Sequence, residues 1–313
     1  MWWHLARRLL IFLVSALVAS IIVFLLLSAV GDPARTALGV DATKEALAAL
    51  RHQMGLDRSL LTQYLSWVGG MAHGDFGTSY VTQLPIGPQI ADRLQVTLWL
   101  VLGGIVVALV VAVPIGSLAA LRNGKASGAV LSGLSQLGIA VPAFLAGILM
   151  VALFAVALGW LPANGYVVPA QDPGGFVQHM ILPWLSLGLV QGAVLARYVR
   201  SALLDEMGQD YLRTARSKGL TAAGAVVRHG FRNASIPVLT VLGVQLVTIL
   251  IGAVVVERVF VIPGIGSFLA DSVARQDRLA VQGIVVTIVV ISLAISFVVD
   301  VLYTVIDPRL RRR

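Results

Sequence analysis

Long uncharged apolar runs restrict what this chain can fold into more than any other feature. A bilayer core requires about 20 consecutive apolar residues per helix. Runs of that length lie at residues 9–30, 94–121, 126–171, 174–196, 233–256 and 279–299. They lack the strict alternation of barrel strands, and a helix satisfies its own backbone in lipid. We therefore predict an all-α polytopic membrane protein with six transmembrane helices, part of the overlong 126–171 run being loop.

The placement of basic residues predicts the orientation of these helices. Hydrophobic residues make up 58% of the chain and charged residues 12%, with a net charge of +8. With the N-terminus in the cytoplasm, 15 of the 23 Lys and Arg residues lie inside, and five of the other eight lie in the long segment 35–93. This bias predicts cytoplasmic termini and explains the basic charge without a nucleic-acid partner.

Four regions follow from this arrangement. We expect an N-terminal transmembrane helix at 1–30, retained because its 22-residue apolar run exceeds a usual signal-peptide core. Segment 31–93 is predicted to be extracytoplasmic, with a helix from Thr43 to Met54 ended by Gly55, an amphipathic stretch at 60–68 and a glycine-rich loop at 69–77. The transmembrane domain follows at 94–306 with five helices, and a basic cytoplasmic tail at 307–313.

The chain lacks the residues that most membrane enzymes and pumps need. No G-x-x-x-x-G-K-[ST] motif occurs, since Ala126 follows Gly124-Lys125 where a hydroxyl residue would be required. Cysteine is absent, which excludes thiol catalysis and thiolate metal sites. Asp300 lies at the end of the last span and His179 at the edge of another, so we expect packing or interfacial roles. We predict no catalytic, cofactor-binding or metal-binding residues.

The spans carry a few polar but uncharged side chains. Such groups cost less in lipid than charges do, and they can line a wet path or hydrogen-bond between helices. The sequence leaves both uses open. The candidates for pathway lining are Gln136, Gln191, Thr240, Gln245 and Thr248.

The cytoplasmic segment between the fourth and fifth spans has a helix–turn–helix pattern. We predict two short helices joined by Gly219-Leu220-Thr221, with Gly219 ending the first and Thr221 capping the second. Its sequence reads DYLRTARSKGL at 210–220 and RHGFRNASIPVLTVLG at 228–243. These two runs strongly resemble the coupling-loop signature of membrane subunits of peptide-type (dipeptide and oligopeptide) ABC importers.

The resemblance extends over nearly the whole chain. Matching segments, in family order, are GDP at 31, LDRSLLTQYLSWVGG at 56, GDFGTSY at 74, IADRLQVTLWL at 90, VPAF at 141, LPANGY at 161, VERVFVIPGIG at 256 and DVLYTVIDPRLR at 300. They are similar to the first (B-type) of two paired permeases. One departure concerns the general importer signature E-A-A-x3-G-x9-I-x-L-P, of which Gly219 is kept. Arg213-Thr214-Ala215 replaces E-A-A, a variant usual for the peptide and nickel branch.

The resemblance implies a type I ABC importer permease fold with a cytoplasmic coupling helix in a loop at about 201–235. It implies four partners: a homologous second permease, two ATPase subunits that bind ATP and Mg, and an extracytoplasmic peptide-binding protein. The expected ATPase-coupling residues are Asp210, Tyr211, Arg213, Thr214, Ala215, Arg216, Lys218, Gly219, Leu220, His229, Arg232 and Asn233. The loop with Glu257, Phe260, Pro263 and Gly264 is expected to form an outer gate or dock.

These inferences predict a permease that imports di- or oligopeptides across the bacterial inner membrane and catalyses no covalent chemistry. A nickel-chelate, glutathione or other small-solute importer remains an alternative, because these branches share the same loop. An autonomous channel or secondary carrier is a second alternative, which the scarcity of carboxylates in the spans disfavours. An intramembrane hydrolase lacks a credible catalytic pair.

Overall fold

The computed structural model describes residues 2–29, 33–38 and 42–306. The regular elements of these ranges are helices. They are α1 Trp2–Ala29, α2 Pro33–Leu38, α3 Lys44–Gln53, α4 Leu60–Ala72, α5 Ile86–Leu121, α6 Ala126–Ala140, α7 Ala143–Met150, α8 Pro173–Met207, α9 Asp210–Ser217, α10 Ala222–Ala225, α11 Phe231–Val259, α12 Ile265–Ala274 and α13 Arg278–Ile306. Two π-helical segments, Val151–Ala157 and Val226–Gly230, continue α7 and α10. The predicted tail at 307–313 lies outside the described residues, as does the side chain of Asp300.

Within the described residues, five helices are long and apolar enough to cross a membrane: α1, α5, α8, the run formed by α10 and α11, and α13. The all-α polytopic prediction is confirmed. The third predicted span differs from a simple helix, because α6 and the α7 run are bent by 98° at their junction. Val141 is extended and Pro142 has no N–H to continue the ladder, so the chain turns at this dipeptide. The described residues therefore contain the predicted six spans only if α6 and the α7 run together count as one span.

The chain divides into two compact units. Of the described residues, the first unit contains 97–262 and 295–306, and the second contains those of 2–96 and 263–294.

Close contacts between α5 and α8 organise the first unit. A Cβ added at Gly188 would lie 2.4 Å from Cβ of Val107, and one at Gly103 would lie 2.0 Å from Nε1 of Trp184. The indole N–H of Trp184 donates a hydrogen bond of 3.0 Å to the carbonyl of Trp99 on α5. Small residues allow helix backbones to approach in lipid, where van der Waals packing drives association. Glycine at these positions therefore sets the distance between the two helices.

The second unit has its own apolar core. Ile86 and Ile90 at the start of α5 pack with Phe268 of α12 and Ile284 of α13. Arg93 covers the Phe268 ring, its guanidinium carbon 4.6 Å from the ring centroid. These contacts fix α12 and the beginning of α13 against the beginning of α5.

Residues 43–72 of the second unit form two helices. Thr43 caps α3 by accepting a hydrogen bond from the Ala46 amide, and Gly55 follows the helix with φ +67°, as predicted. The glycine-rich loop predicted from residue 69 begins too early, because α4 continues to Ala72. Gly70 is helical and packs on the backbone, since a Cβ there would lie 2.9 Å from the Asp75 carbonyl oxygen. Close approach, rather than loop flexibility, explains that glycine.

Candidate functional site

The predicted coupling helix, α9, has the boundaries that its turn residues predict. It begins after Gln209 and ends at Ser217; Lys218 is its C-cap, and Gly219 follows with φ +96°. Thr221 then caps α10 by accepting a hydrogen bond from the Gly224 amide at 3.1 Å. The predicted pair of helices joined by 219–221 is confirmed. A left-handed φ favours glycine, so this turn is specified locally.

One apolar side chain anchors α9 to the rest of the first unit. Leu212 is buried and lies against Gly230. Met207, Ala225 and Val226 surround the same small space. Leu212 was not among the predicted site residues. The sequence could have indicated it, because it is the one leucine in a strongly polar helix. The anchor leaves the other faces of α9 exposed.

The exposed surface of the segment is cationic. Arg213, Thr214, Arg216, Lys218 and Gly219 are exposed, while Ala215 and Leu220 are half-buried. Arg213 lies 3.5 Å from the carboxylate of Asp210, but both side chains are too exposed for that pair to fix the helix. His229 and Arg232 are exposed at the junction between the second π-helical segment and α11. A partner can thus reach most of the predicted coupling residues.

Tyr211 joins three elements through one hydroxyl group. The hydroxyl donates to the carboxylate of Glu206 at the end of α8, and it accepts a hydrogen bond of 3.1 Å from the amide of Asn233 in the first turn of α11. We call Glu206, Tyr211 and Asn233 the tyrosine clasp. The clasp ties α9 to the two membrane helices that flank it. The sequence predicted Tyr211 and Asn233 as site residues, but Glu206 was missed because acidic residues are ordinary at a helix end.

The phenol of the clasp has a raised pKa. Burial raises the pKa of Tyr211 above 10.0 and the hydrogen bond to Glu206 raises it further, whereas the hydrogen bond from Asn233 lowers it. A raised pKa favours the neutral phenol in the folded protein. The hydroxyl therefore remains a donor to Glu206 up to a higher pH than an unshifted tyrosine would.

The predicted pathway residues fall into two groups. Gln191 on α8 is buried, and its Oε1 accepts a hydrogen bond of 2.8 Å from Nε2 of Gln245 on α11. Thr240 and Thr248 are exposed and donate to carbonyls of their own helix, and Gln136 is exposed on α6. The structure brings together only the two glutamines on α8 and α11, as an interhelical hydrogen bond. Pathway lining stays a prediction for all five residues.

Two of the four predicted outer-gate residues are buried in the first unit. Glu257 is fully buried, and its carboxylate accepts a hydrogen bond from the hydroxyl of Thr97. Phe260 is also buried. Its ring packs so closely on Gly147 that a Cβ added to this glycine would lie 2.9 Å from a ring carbon. Its carbonyl accepts a hydrogen bond from the Gly165 amide at 2.9 Å. These two residues hold the loop in place rather than present a surface.

The exposed tip of that loop is Val261, which the sequence did not single out. Val261 has φ +53° and is 65% exposed. A β-branched residue in the left-handed region is strained, and such strain persists where the surrounding structure imposes it. In the second unit, Pro263 is exposed and Gly264 precedes the first turn of α12. The gate role of all four residues stays a prediction.

Two observations summarise the composition of the site. Among residues 2–29, 33–38 and 42–306, no three His, Cys, Asp or Glu side chains lie together as a metal site would require. What the segment offers is a short exposed cationic helix, anchored by Leu212 and fastened by the clasp to two long apolar helices.

Solved structures identify the fold. One is described as "Crystal structure of an amino acid ABC transporter with histidines"; the TM-score is 0.54 at 17% identity, over 72% of this chain and 94% of that one. Another, "Inward facing conformations of the MetNI methionine ABC transporter", gives a TM-score of 0.56 at 16% identity, over 70% and 96% of the two chains. The chain has the fold of type I ABC importer permeases.

The family is shown by sequence. Residues 112–312 match the model described as "Binding-protein-dependent transport system inner membrane component", and residues 1–101 match a companion model for the N-terminal part of such components. The chain belongs to this family. It is 39% identical over 309 residues to "Glutathione transport system permease protein GsiC" of Salmonella choleraesuis and 37% identical to the Escherichia coli K12 protein of that name, each covering 98% of both chains. The predicted permease class is confirmed, and the family is one of transport components rather than enzymes.

Proposed function

We propose that this chain is a permease subunit that imports short peptides, including tripeptides of glutathione size, across the bacterial inner membrane. Cytoplasmic ATPase subunits would drive it, and an extracytoplasmic binding protein would supply the solute. The curated relatives described as glutathione transport permeases support a small peptide as solute.

The observation that carries the coupling role is the attachment of α9. Its exposed face is cationic and built of residues that a partner can reach. Behind that face, Leu212 and the tyrosine clasp transmit any displacement of α9 to α8 and α11. A short, preorganised helix can be buried against a partner with little loss of side-chain entropy. Closure of the ATPase subunits would then move both helices together.

The same proposal assigns the remaining regions. Segment 31–93 faces the outside, the 201–235 segment and the 307–313 tail face the cytoplasm, and both termini are cytoplasmic. A homologous second permease completes the pathway, and ATP and Mg bind only to the ATPase partners. The loop carrying Val261 faces the binding protein, with Glu257 and Phe260 as its internal supports.

Uptake measurements test the proposal directly. Cells expressing the complete operon should take up labelled glutathione and a labelled dipeptide, and uptake should stop when ATP is depleted. Uptake that continues without ATP would identify an autonomous channel or carrier. Entry of a nickel chelate but neither peptide would retain the fold and reject the solute.

A glycine substitution tests the coupling segment within the same assay. Gly219→Trp places a large side chain at φ +96°, on the surface that the ATPase would contact, so uptake should be abolished while the permease remains in the membrane. Gly124→Trp is the matched control, because Gly124 has φ +81° and no atom within 4 Å of an added Cβ. Equal loss from both variants would show a folding defect, and no loss from Gly219→Trp would reject the coupling role.

A further inference from the structure

Several cations of the coupling segment 201–235 have no ion-pair partner among the residues that the structure describes. They are exposed residues of α9 and its C-cap, of the second π-helical segment and of the first turn of α11: Arg216, Lys218, Arg228 and Arg232. Arg213 does have a partner, Asp210 at 3.5 Å, but those two side chains are 70% and 95% exposed. Charges so exposed gain little from each other. The segment therefore offers its cations to a partner.

Acidic residues are too few in this part of the chain to neutralise those cations. Between residues 197 and 235 there are seven Lys and Arg residues but three Asp and Glu residues. One of the three, Glu206, accepts the hydrogen bond of the Tyr211 hydroxyl. Another, Asp210, begins α9, where a negative charge favours the helix dipole. The excess of positive charge favours contact with a negatively charged surface.

The face of α9 opposite its anchor is small and polar. Successive residues of an α-helix are rotated by about 100°, so Thr214 lies about 200° around the helix from the buried Leu212. The hydroxyl of Thr214 donates to the Asp210 carbonyl at 2.9 Å, and that of Ser217 donates to the Thr214 carbonyl at 2.9 Å. Both hydroxyls are thus bonded within the helix, and neither side chain is long. A folded surface can therefore approach this face closely.

The composition of that face favours a folded protein over a lipid surface as the partner. An amphipathic helix that lies on a membrane buries bulky apolar side chains among the lipids. The one leucine of α9, Leu212, is instead buried within the protein. Thr214 and Ser217 cannot supply the missing apolar contact. The cations beside them are therefore better suited to carboxylates on a protein.

We propose that the ATPase surface that receives α9 carries carboxylates that pair with Arg213 and Lys218. This inference rests on the coupling role proposed above and adds the chemistry of the partner. Arg213 precedes Thr214 and Lys218 follows Ser217, so the two cations flank the small polar face. The exposed contact of Arg213 with Asp210 is exchanged at little cost for a charge-assisted pair with the ATPase. Charge pairs at the edge of an interface speed association and make it depend on salt.

The test measures binding of the purified ATPase subunits to the paired permeases in nanodiscs of phosphatidylcholine, a lipid without net charge. Arg213→Glu should weaken binding about tenfold at low salt and reduce its salt dependence, and Arg213→Gln should weaken it about threefold. Arg122→Glu is the matched control, because Arg122 is an exposed arginine between α5 and α6 and the change in net charge is the same. Equal losses from Arg122→Glu and Arg213→Glu, or from both Arg213 variants, would overturn the pairing. Salt dependence that requires added anionic lipid would identify lipid as the partner instead.

A cysteine cross-link separates this inference from the coupling role on which it rests. The chain has no cysteine, so Thr214→Cys introduces its single thiol, on the face of α9 opposite Leu212. In the assembled transporter, a bifunctional reagent should link this thiol to an ATPase subunit. Absence of the cross-link would reject the coupling role and the pairing together. A cross-link that forms, with ATPase binding unchanged in both Arg213→Glu and Lys218→Glu, would retain the coupling role and overturn the pairing.

Discussion

Replacing Tyr211 by Phe tests the proposed transmission of movement through the tyrosine clasp. The substitution removes one oxygen atom and leaves the aromatic ring, the helix propensity and the Leu212 anchor in place. It breaks the hydrogen bond to Glu206 and the 3.1 Å hydrogen bond from Asn233. We expect α9 to remain folded but to follow α8 and α11 less strictly.

The magnitude follows from the two lost bonds. A hydrogen bond to a charged group contributes about 1.5–3 kcal/mol and a neutral one about 1 kcal/mol when well shielded. Tyr211 is 38% exposed, so water replaces part of both bonds. We therefore expect the free energy that attaches α9 to α8 and α11 to fall by about 1 kcal/mol. This loss lowers the ratio of attached to detached helix about fivefold.

The assay compares ATP hydrolysis with solute uptake in proteoliposomes that contain the whole transporter. Tyr211→Phe should consume several times more ATP per imported molecule, while assembly with the ATPase subunits is unchanged. Tyr198→Phe is the matched control, since Tyr198 is 39% exposed on α8 and lies outside the clasp.

Two results would refute this reasoning. An unchanged ratio of ATP to solute in Tyr211→Phe would show that the clasp transmits nothing, even if Gly219→Trp still abolishes uptake. A loss of ATPase binding would show that the hydroxyl contacts the partner instead of fastening α9.

Three further predictions concern packing, strain and ionisation. Gly188→Ala should lower the free energy of unfolding by about 1–3 kcal/mol, because the added Cβ would lie 2.4 Å from Val107. Thermal denaturation measures this loss. Gly133→Ala should cause no such loss, because no atom lies within 4 Å of a Cβ added there. Val261→Asn should raise that free energy by about 1 kcal/mol, since Asn tolerates a positive φ; a lower melting temperature would contradict the strain. Because burial raises the pKa of Tyr80 to about 12, its neutral phenol should stabilise the fold fully below pH 10 and progressively less as the pH rises through about 12. Tyrosinate absorbance measures this ionisation. If Tyr80→Phe removes a part of the absorbance that titrates near pH 10, the pKa of Tyr80 is not raised.

Local chemistry explains why much of the fold could be predicted from the sequence. Hydrophobic length identified the long spans, because lipid imposes the same requirement on every helix. Gly219 and Thr221 predicted where α9 ends and α10 begins, because a left-handed turn and a helix cap depend on adjacent residues. Pro142 has no N–H to continue a helix, but that local property does not give the 98° angle between α6 and the α7 run.

Contacts between distant segments decided the rest. The sequence left each glutamine either to line a path or to bond another helix, and only the packing of α8 on α11 joins Gln191 to Gln245. The sequence predicted Glu257 as part of an outer gate or dock, but it could not show that Thr97, 160 positions earlier, donates a hydrogen bond to its buried carboxylate. The sequence by itself determined which segments form the long apolar helices and where α9 gives way to α10. Tertiary structure alone decided which polar groups pair, because hydrogen-bond partners in a helical bundle are set by how helices far apart in the chain pack together.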